Sequence, residues 1–195
     1  MQGLIMMYSP TVTIKNMVFT RLALLLLSTL LAASIHGATA LNYCPPVWTQ
    51  YQLPTGSFCY RLFGIRRTWQ EAETTCQKYT ICQGKETAHL VSVGSSEEEG
   101  FLNSYWKEMR GSFEGEKGIW LGYHKSTLNP GNHWIWTDKL KTTYENWDVS
   151  DLGQQSAVAE GVGCGQQVST ESDWPSWRQT DCDSKQHFVC KMHAM

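Results

Sequence analysis

The chain has 195 residues, enough for one domain or two small ones, and 42% of them are hydrophobic against 17% charged. That balance is too apolar for a disordered chain and too mixed for a collagenous one. A formal charge of −2, from 16 basic and 18 acidic side chains, supplies no basic field to displace counterions from phosphate, which argues against general nucleic-acid binding. Seven cysteines in so short a chain indicate either a disulfide framework or a metal site, and the compartment decides which.

Residues 1–40 carry Lys15 and Arg21 but no Asp or Glu, then the apolar run Leu22 to Ala33, then Ala38-Thr39-Ala40. A positive segment, an apolar run and a small-x-small site in that order predict a secretory signal peptide cleaved after Ala40. The region before Arg21 is long for such a leader, so Met1 and Met17 compete as initiator, and Met17 gives the compact form. A signal anchor is the rival reading. Against it, the apolar run is shorter than the ~20 residues that cross a bilayer, and Cys44 follows too closely to leave a stalk. The expected organisation is a removed leader, 1–40, and a single domain, 41–195, with its core at 44–191, secreted and without a membrane span. The part after Ala40 keeps 14 basic and 18 acidic side chains, a net charge of −4, and contains no Asn-x-Ser/Thr sequon. All seven cysteines lie in it, and an oxidising compartment makes disulfides the default.

The expected elements follow in chain order. SFCYRLF (57–63) reads as an early strand. Thr68-Trp-Gln-Glu71 is a capping box opening TWQEAETTCQKY, in which Trp69, Ala72, Cys76 and Tyr79 recur at spacings of three and four and form one buried face. Ser95-Ser-Glu-Glu98 opens a second helix in the same way, with Phe101, Leu102, Tyr105, Trp106 and Met109 facing inward. Its acidic first turn, Glu97 to Glu99, suits the positive end of the helix dipole. IWLGY (119–123) and HWIWT (133–137) are aromatic, β-branched strand signals separated by the turn residues Asn129-Pro-Gly131. From Trp147 to Cys182 runs a Gly-, Ser- and Gln-rich stretch with little periodicity, expected as a long loop that Cys164 and Cys182 could pin. FVCKM (188–192) is a closing strand. No internal repeat, low-complexity tract or linker interrupts the series.

Taken together, CPPVW (44–48), FCYRLF (58–63), TWQEAETTC (68–76), AHLVSV (88–93), the acidic helix start, IWLGY, WIWTD (134–138), YENW (144–147), the Cys164/Cys182 pair and FVC (188–190) resemble a C-type lectin domain over nearly the whole of residues 41–195. The resemblance implies an α+β double-loop fold, with two helices flanking antiparallel sheets and a long loop pinned by disulfides. It also implies a cysteine pairing, since six cysteines alone permit fifteen connectivities: Cys44–Cys59, Cys76–Cys190 and Cys164–Cys182. Cys82 is left unpaired, either as a free thiol or as the bridge of a disulfide-linked dimer.

In sugar-binding members of that family, a Glu-Pro-Asn or Gln-Pro-Asp tripeptide in the long loop and a Trp-Asn-Asp motif beside the third core cysteine hold a calcium ion, which takes six to eight hard oxygens. This chain departs at both halves. The stretch WDVSDLGQQSAVAEGVGC (147–164) has no proline, and Asp151-Leu-Gly lacks the second oxygen side chain. At Trp177-Arg178-Gln179, Arg and Gln stand where Asn and Asp would be. A guanidinium about 4 Å from a divalent cation is repelled by about 8 kcal/mol at an effective dielectric of 20, twice the unit-charge figure. The family's sugar-binding calcium site is therefore expected to be absent, with no cofactor in its place. Asp148, Asp151 and Glu160 are read as a solvated acidic loop.

Trp120, Trp134, Trp136, Trp147 and Trp177 occupy elements that form the family's core, whereas Trp174 is the candidate exposed platform. The histidines after Ala40 have no metal-ligand spacing, Cys82 has no sequence-adjacent base and no phosphate-cradling glycine loop occurs, so no catalytic residue is assigned. The expectation is a secreted, non-enzymatic protein that recognises a glycan or an extracellular protein. Its ligand-binding residues are expected to be Asp151, Gln154, Gln155, Trp174, Arg178 and Gln179. The alternative is a structural protein of an extracellular or biomineral matrix, built on the same domain.

Overall fold

The early strand is longer than the motif that predicts it. In the computed structural model, which describes residues 43–81, 86–109, 111, 118–126, 133–149, 163–169 and 174–195, β1 (Thr49–Leu53) and β2 (Gly56–Arg67) form an antiparallel hairpin. The expected leader, Cys82, the turn at 129–131, Asp151, Gln154, Gln155 and Glu160 lie outside the described residues.

Helix α1 (Trp69–Cys76) begins at the expected capping box, with the Thr68 hydroxyl accepting from the Glu71 amide and the Glu71 carboxylate accepting from the Thr68 amide. It stops at Cys76, so Tyr79, expected on its apolar face, is half-buried beyond the helix. Short strands β3 (Thr80–Ile81) and β4 (Glu86–Thr87) pair with each other, and β5 (His89–Leu90) joins the main sheet. Helix α2 (Ser96–Met109) starts with the Ser95 hydroxyl accepting from the Glu98 amide. The reciprocal half of that box does not form: the Glu98 carboxylate turns inward to the Gly94 amide and the Tyr60 hydroxyl. Leu102 and Trp106 are buried as expected, but Met109, at the last turn, is 50% exposed.

The remaining strands are β6 (Gly118–Lys125), β7 (Trp134–Trp136), β8 (Cys164–Ser169), β9 (Pro175–Thr180) and β10 (Gln186–His193). The main sheet runs β1-β2-β10-β6-β8-β9, with β5 on β10 and β7 on β6. The expected antiparallel pairing holds throughout it except between β10 and β6, which run parallel and make the sheet mixed. The stretch expected as a featureless loop contains the regular hairpin β8–β9. On β9 burial alternates strictly, which the polar composition of PSWRQT conceals.

Two apolar clusters fill the interior. One joins α2 to the sheet through Leu102, Trp106, Tyr60, Ile119, Leu121 and Trp177, and the other joins α1 to it through Trp69, Ala72, Trp120 and Phe188. The buried indoles are satisfied by backbone across the fold: Trp69 Nε1 donates to the Leu121 carbonyl at 2.8 Å and Trp120 Nε1 to the Arg67 carbonyl at 2.9 Å. Gly122, within the IWLGY motif, lies where a Cβ would approach the Leu90 carbonyl oxygen to 2.6 Å; any side chain would push β6 off β5.

The three disulfides are Cys44–Cys59, Cys76–Cys190 and Cys164–Cys182, the pairing that the resemblance implies. The last two bridge separations of 114 and 18 residues, for which the chain-entropy relation gives about 5 and about 3 kcal/mol. Cys76–Cys190 fastens α1 to the central strand β10. Cys164–Cys182 ties the start of β8 to the end of β9.

Candidate functional site

The site is assembled where β9 meets the segment 144–148. Trp177 donates its backbone N–H to the Asn146 carbonyl at 2.7 Å, and the Asp148 N–H returns to the Trp177 carbonyl at 2.8 Å. This parallel bridge sets Trp147 beside Trp177, and therefore Asp148 beside Arg178. The Arg178 guanidinium donates from Nε at 3.1 Å and from Nη2 at 2.9 Å to the same Asp148 oxygen, Oδ2. The arginine side chain is 43% exposed and the aspartate 15%, so the pair is a half-open lid over the core.

Beneath it lies Glu99, fully buried on the first turn of α2. Its Oε1 accepts the Trp177 indole N–H at 2.6 Å, while Oε2 accepts the Asn146 amide at 3.0 Å and the Tyr144 hydroxyl. Asn146 also donates to the Pro175 carbonyl at 2.8 Å. Burial pushes the Glu99 carboxyl above the usual range even though all three donors pull it down, and burial next to this carboxylate raises the Tyr144 phenol. Of the three acids on the first turn of α2, Glu97 is exposed, whereas Glu98 and Glu99 are buried. Glu98 is matched by Lys191, whose Nζ lies 2.5 Å from Glu98 Oε1 and 3.1 Å from the Ser92 carbonyl.

Of the expected ligand-facing residues, Trp174 is 53% exposed immediately before β9. Arg178 faces outward on β9. Gln179 does not: the alternation of β9 turns it inward with Trp177, it is 9% exposed, and its amide packs on Gly163. That assignment is corrected, since a side chain on the inward face cannot meet a ligand. Among the expected core tryptophans, Trp120, Trp136 and Trp177 are buried and Trp134 and Trp147 are half-buried, 4.6 Å apart between ring centroids. Two residues central to the site, Glu99 and Asn146, were not singled out as site residues. Asp148 was noted only as a loop acid. A signal for the ion pair does exist in the sequence: an acid follows Trp147 and a base follows Trp177, and the two tryptophans pair. Among the described residues, no group of three or more His, Cys, Asp and Glu is placed to hold a metal, and no helix is long and apolar enough to cross a membrane.

These features define a disulfide-braced α+β fold with a mixed sheet and two helices. The family model for the lectin C-type domain matches residues 65–192. Regenerating islet-derived protein 3-beta of Mus musculus is 35% identical over 139 residues, covering 70% of this chain and 71% of that protein. The alpha-N-acetylgalactosamine-specific lectin of Patiria pectinifera is 32% identical over 153 residues, covering 76% of this chain and 82% of the relative. Among solved structures, the C-type lectin CEL-I of Cucumaria echinata superposes with a TM-score of 0.63 at 28% identity, covering 79% of this chain and 100% of CEL-I. The chain belongs to the C-type lectin domain family.

Proposed function

We propose that the chain is a secreted, non-enzymatic recognition protein that binds a glycan or an extracellular protein at the β9 edge without calcium. The observation that carries this reading is the Arg178–Asp148 pair. Where the family's sugar-binding members place oxygen ligands for a divalent ion, this chain places a guanidinium, and the neighbouring carboxylate is already neutralised by it. The donor set does not suit calcium, which requires six to eight oxygens and no adjacent cation. Recognition then rests on what remains exposed: stacking on Trp174 and hydrogen bonding by Arg178. Asp151, Gln154 and Gln155, in the connection between Asp148 and β8, are proposed to complete the surface. A glycan ligand is favoured by the likeness to the alpha-N-acetylgalactosamine-specific lectin. The non-enzymatic reading is supported by the engagement of Glu99 and Asp148, whose carboxylates are committed to structural hydrogen bonds and offer no free base. Secretion follows from the leader expected at 1–40.

A glycan array probed with and without EDTA tests the reading. Binding that survives chelation and is lost in Trp174→Ala is expected. Binding abolished by EDTA would overturn the calcium-free mechanism, and a blank array would move the ligand to the protein class.

A further inference from the structure

Strand β7 and the turn that follows it frame an open groove of about 870 Å³ lined by neither Trp174 nor Arg178. Its apolar wall is Tyr123, Trp134 and Ile135, with the first two ring centroids 5.2 Å apart and Ile135 43% exposed. Its other wall is the segment carrying Lys139, Lys141 and Thr143, all three exposed. Aromatic rings on one side and ammonium and hydroxyl groups on the other suit a molecule with an apolar face and anionic substituents.

The charges around the groove favour an anion. Asp138, next to Lys139, is occupied: Oδ1 accepts the Leu140 N–H at 2.9 Å and Oδ2 accepts the Ser92 hydroxyl. Glu145 accepts the Tyr123 hydroxyl at 2.5 Å; both carboxylates keep their charge but are turned to these donors, and the three lysines Lys125, Lys139 and Lys141 outnumber them. Neither Lys139 nor Lys141 forms an ion pair among the described residues. A third cation, Lys125, lies with Nζ 5.7 Å from the Trp134 ring centroid. Backbone geometry adds to the case. Lys139 has φ 62°, a left-handed conformation that glycine or asparagine adopts more readily. The turn is fixed by the Lys139 N–H donating to the Trp136 carbonyl at 3.1 Å and by the Asp138 side chain. A residue poorly suited to its backbone thus holds a cation at the groove on a rigid turn, the kind of local strain that clusters at binding sites.

We propose that this groove is a second binding site, for an anionic saccharide: the sugar ring packs on Trp134 and its sulfate or carboxylate groups pair with Lys139 and Lys141. A saccharide fits better than nucleic acid, because the groove itself presents only Lys139 and Lys141, with Lys125 beside them, in a chain of net charge −2, and one sugar ring fills the aromatic wall.

The test is calorimetric titration of the full chain with short chondroitin sulfate and hyaluronan fragments, and with a desulfated, carboxyl-reduced chain as the neutral control. At least one anionic fragment is expected to bind, with affinity falling several-fold from about 50 to about 200 mM salt. A K139Q/K141Q variant, altered only at exposed side chains and verified by an unchanged melting curve, is expected to lose about tenfold or more in affinity. W174A is expected to bind these fragments as the wild type does, which separates this site from the β9 edge. A preference between the two fragments identifies sulfate or carboxylate as the recognised group. Undiminished binding by K139Q/K141Q, equal binding of the neutral control, no binding of either anionic fragment, or equally tight binding of a single-stranded oligonucleotide would overturn the proposal.

Discussion

Glu99 accepts the Trp177 indole N–H at 2.6 Å across 78 residues of sequence, and so ties the first turn of α2 to β9. With Tyr144 and Asn146 on its other oxygen, one carboxylate organises three donors from two parts of the chain. Glu99→Ala would leave the indole of fully buried Trp177, and the half-buried Tyr144 hydroxyl and Asn146 amide, without this acceptor. Each such group costs about 1–3 kcal/mol, so the expected loss is about 3–5 kcal/mol, read as a lower urea midpoint at unchanged slope. Glu97→Ala, two residues earlier and exposed, should stay within about 0.5 kcal/mol of the wild type. Similar midpoints for the two variants would show that the buried carboxylate is not what holds β9.

The Arg178–Asp148 pair makes a different prediction, because it is half open to solvent. Arg178→Met should cost no more than about 1 kcal/mol, the usual range for an exposed pair. Since the guanidinium occupies the acid that a divalent ion would need, the melting temperature of the wild type should be the same in millimolar calcium and in EDTA. A rise of several degrees with calcium would mean that an ion binds the native state and that the proposed mechanism fails.

Much of this arrangement was legible in the sequence because it depends on strong local signals. Thr68 and Glu71 form the cap that their spacing specifies, and the aromatic and β-branched runs IWLGY and FVCKM mark strands that are buried. The cysteine pairing followed from the family resemblance. What escaped the reading depends on partners distant in sequence. Glu98 and Glu99 read in the sequence only as acids at the positive end of a helix, and their burial is made tolerable by Lys191 on one side and Trp177 on the other. The β8–β9 hairpin is hidden because CGQQVS and PSWRQT place polar side chains on both faces. Only the backbone register, in which Gln167 opposes Trp177, shows which side is inward. Gln179 was misread for the same reason: its polarity suggested solvent, and strand alternation put it inside.

Trp174 separates recognition from stability. At 53% exposed, it contributes little burial, so Trp174→Ala should leave the urea midpoint within about 0.5 kcal/mol of the wild type. An aromatic anchor at the centre of a recognition surface nevertheless costs at least about 2 kcal/mol of binding when truncated, on the order of thirtyfold in affinity. Measured against whichever glycan or protein the array identifies, a thirtyfold loss with an unchanged melting curve supports the β9 edge as the ligand-binding face. An unchanged affinity would remove Trp174 from it.

Two histidines set opposite slopes on the dependence of stability on pH. The hydrogen bond from His89 Nδ1 to Glu73 Oε1, 2.6 Å long, raises the His89 pKa above its ordinary value against the opposing effect of burial. In the window above about 6.5 the folded state therefore holds a proton that the unfolded state has released. The stabilisation is complete below that window and is lost as pH rises through the folded value. His124 behaves in the reverse sense, because burial lowers its pKa. Below about 6.5 the unfolded state binds the extra proton, so stability climbs as pH rises toward that value. Together the two histidines place a maximum near pH ~6.5 in their joint contribution. Urea midpoints at about pH 5, 6.5 and 8.5 would trace it. His89→Gln should reduce the fall on the alkaline side while leaving the acid side unchanged. An alkaline fall as steep in the variant as in the wild type would show that the Glu73–His89 contact does not carry the charge dependence assigned to it.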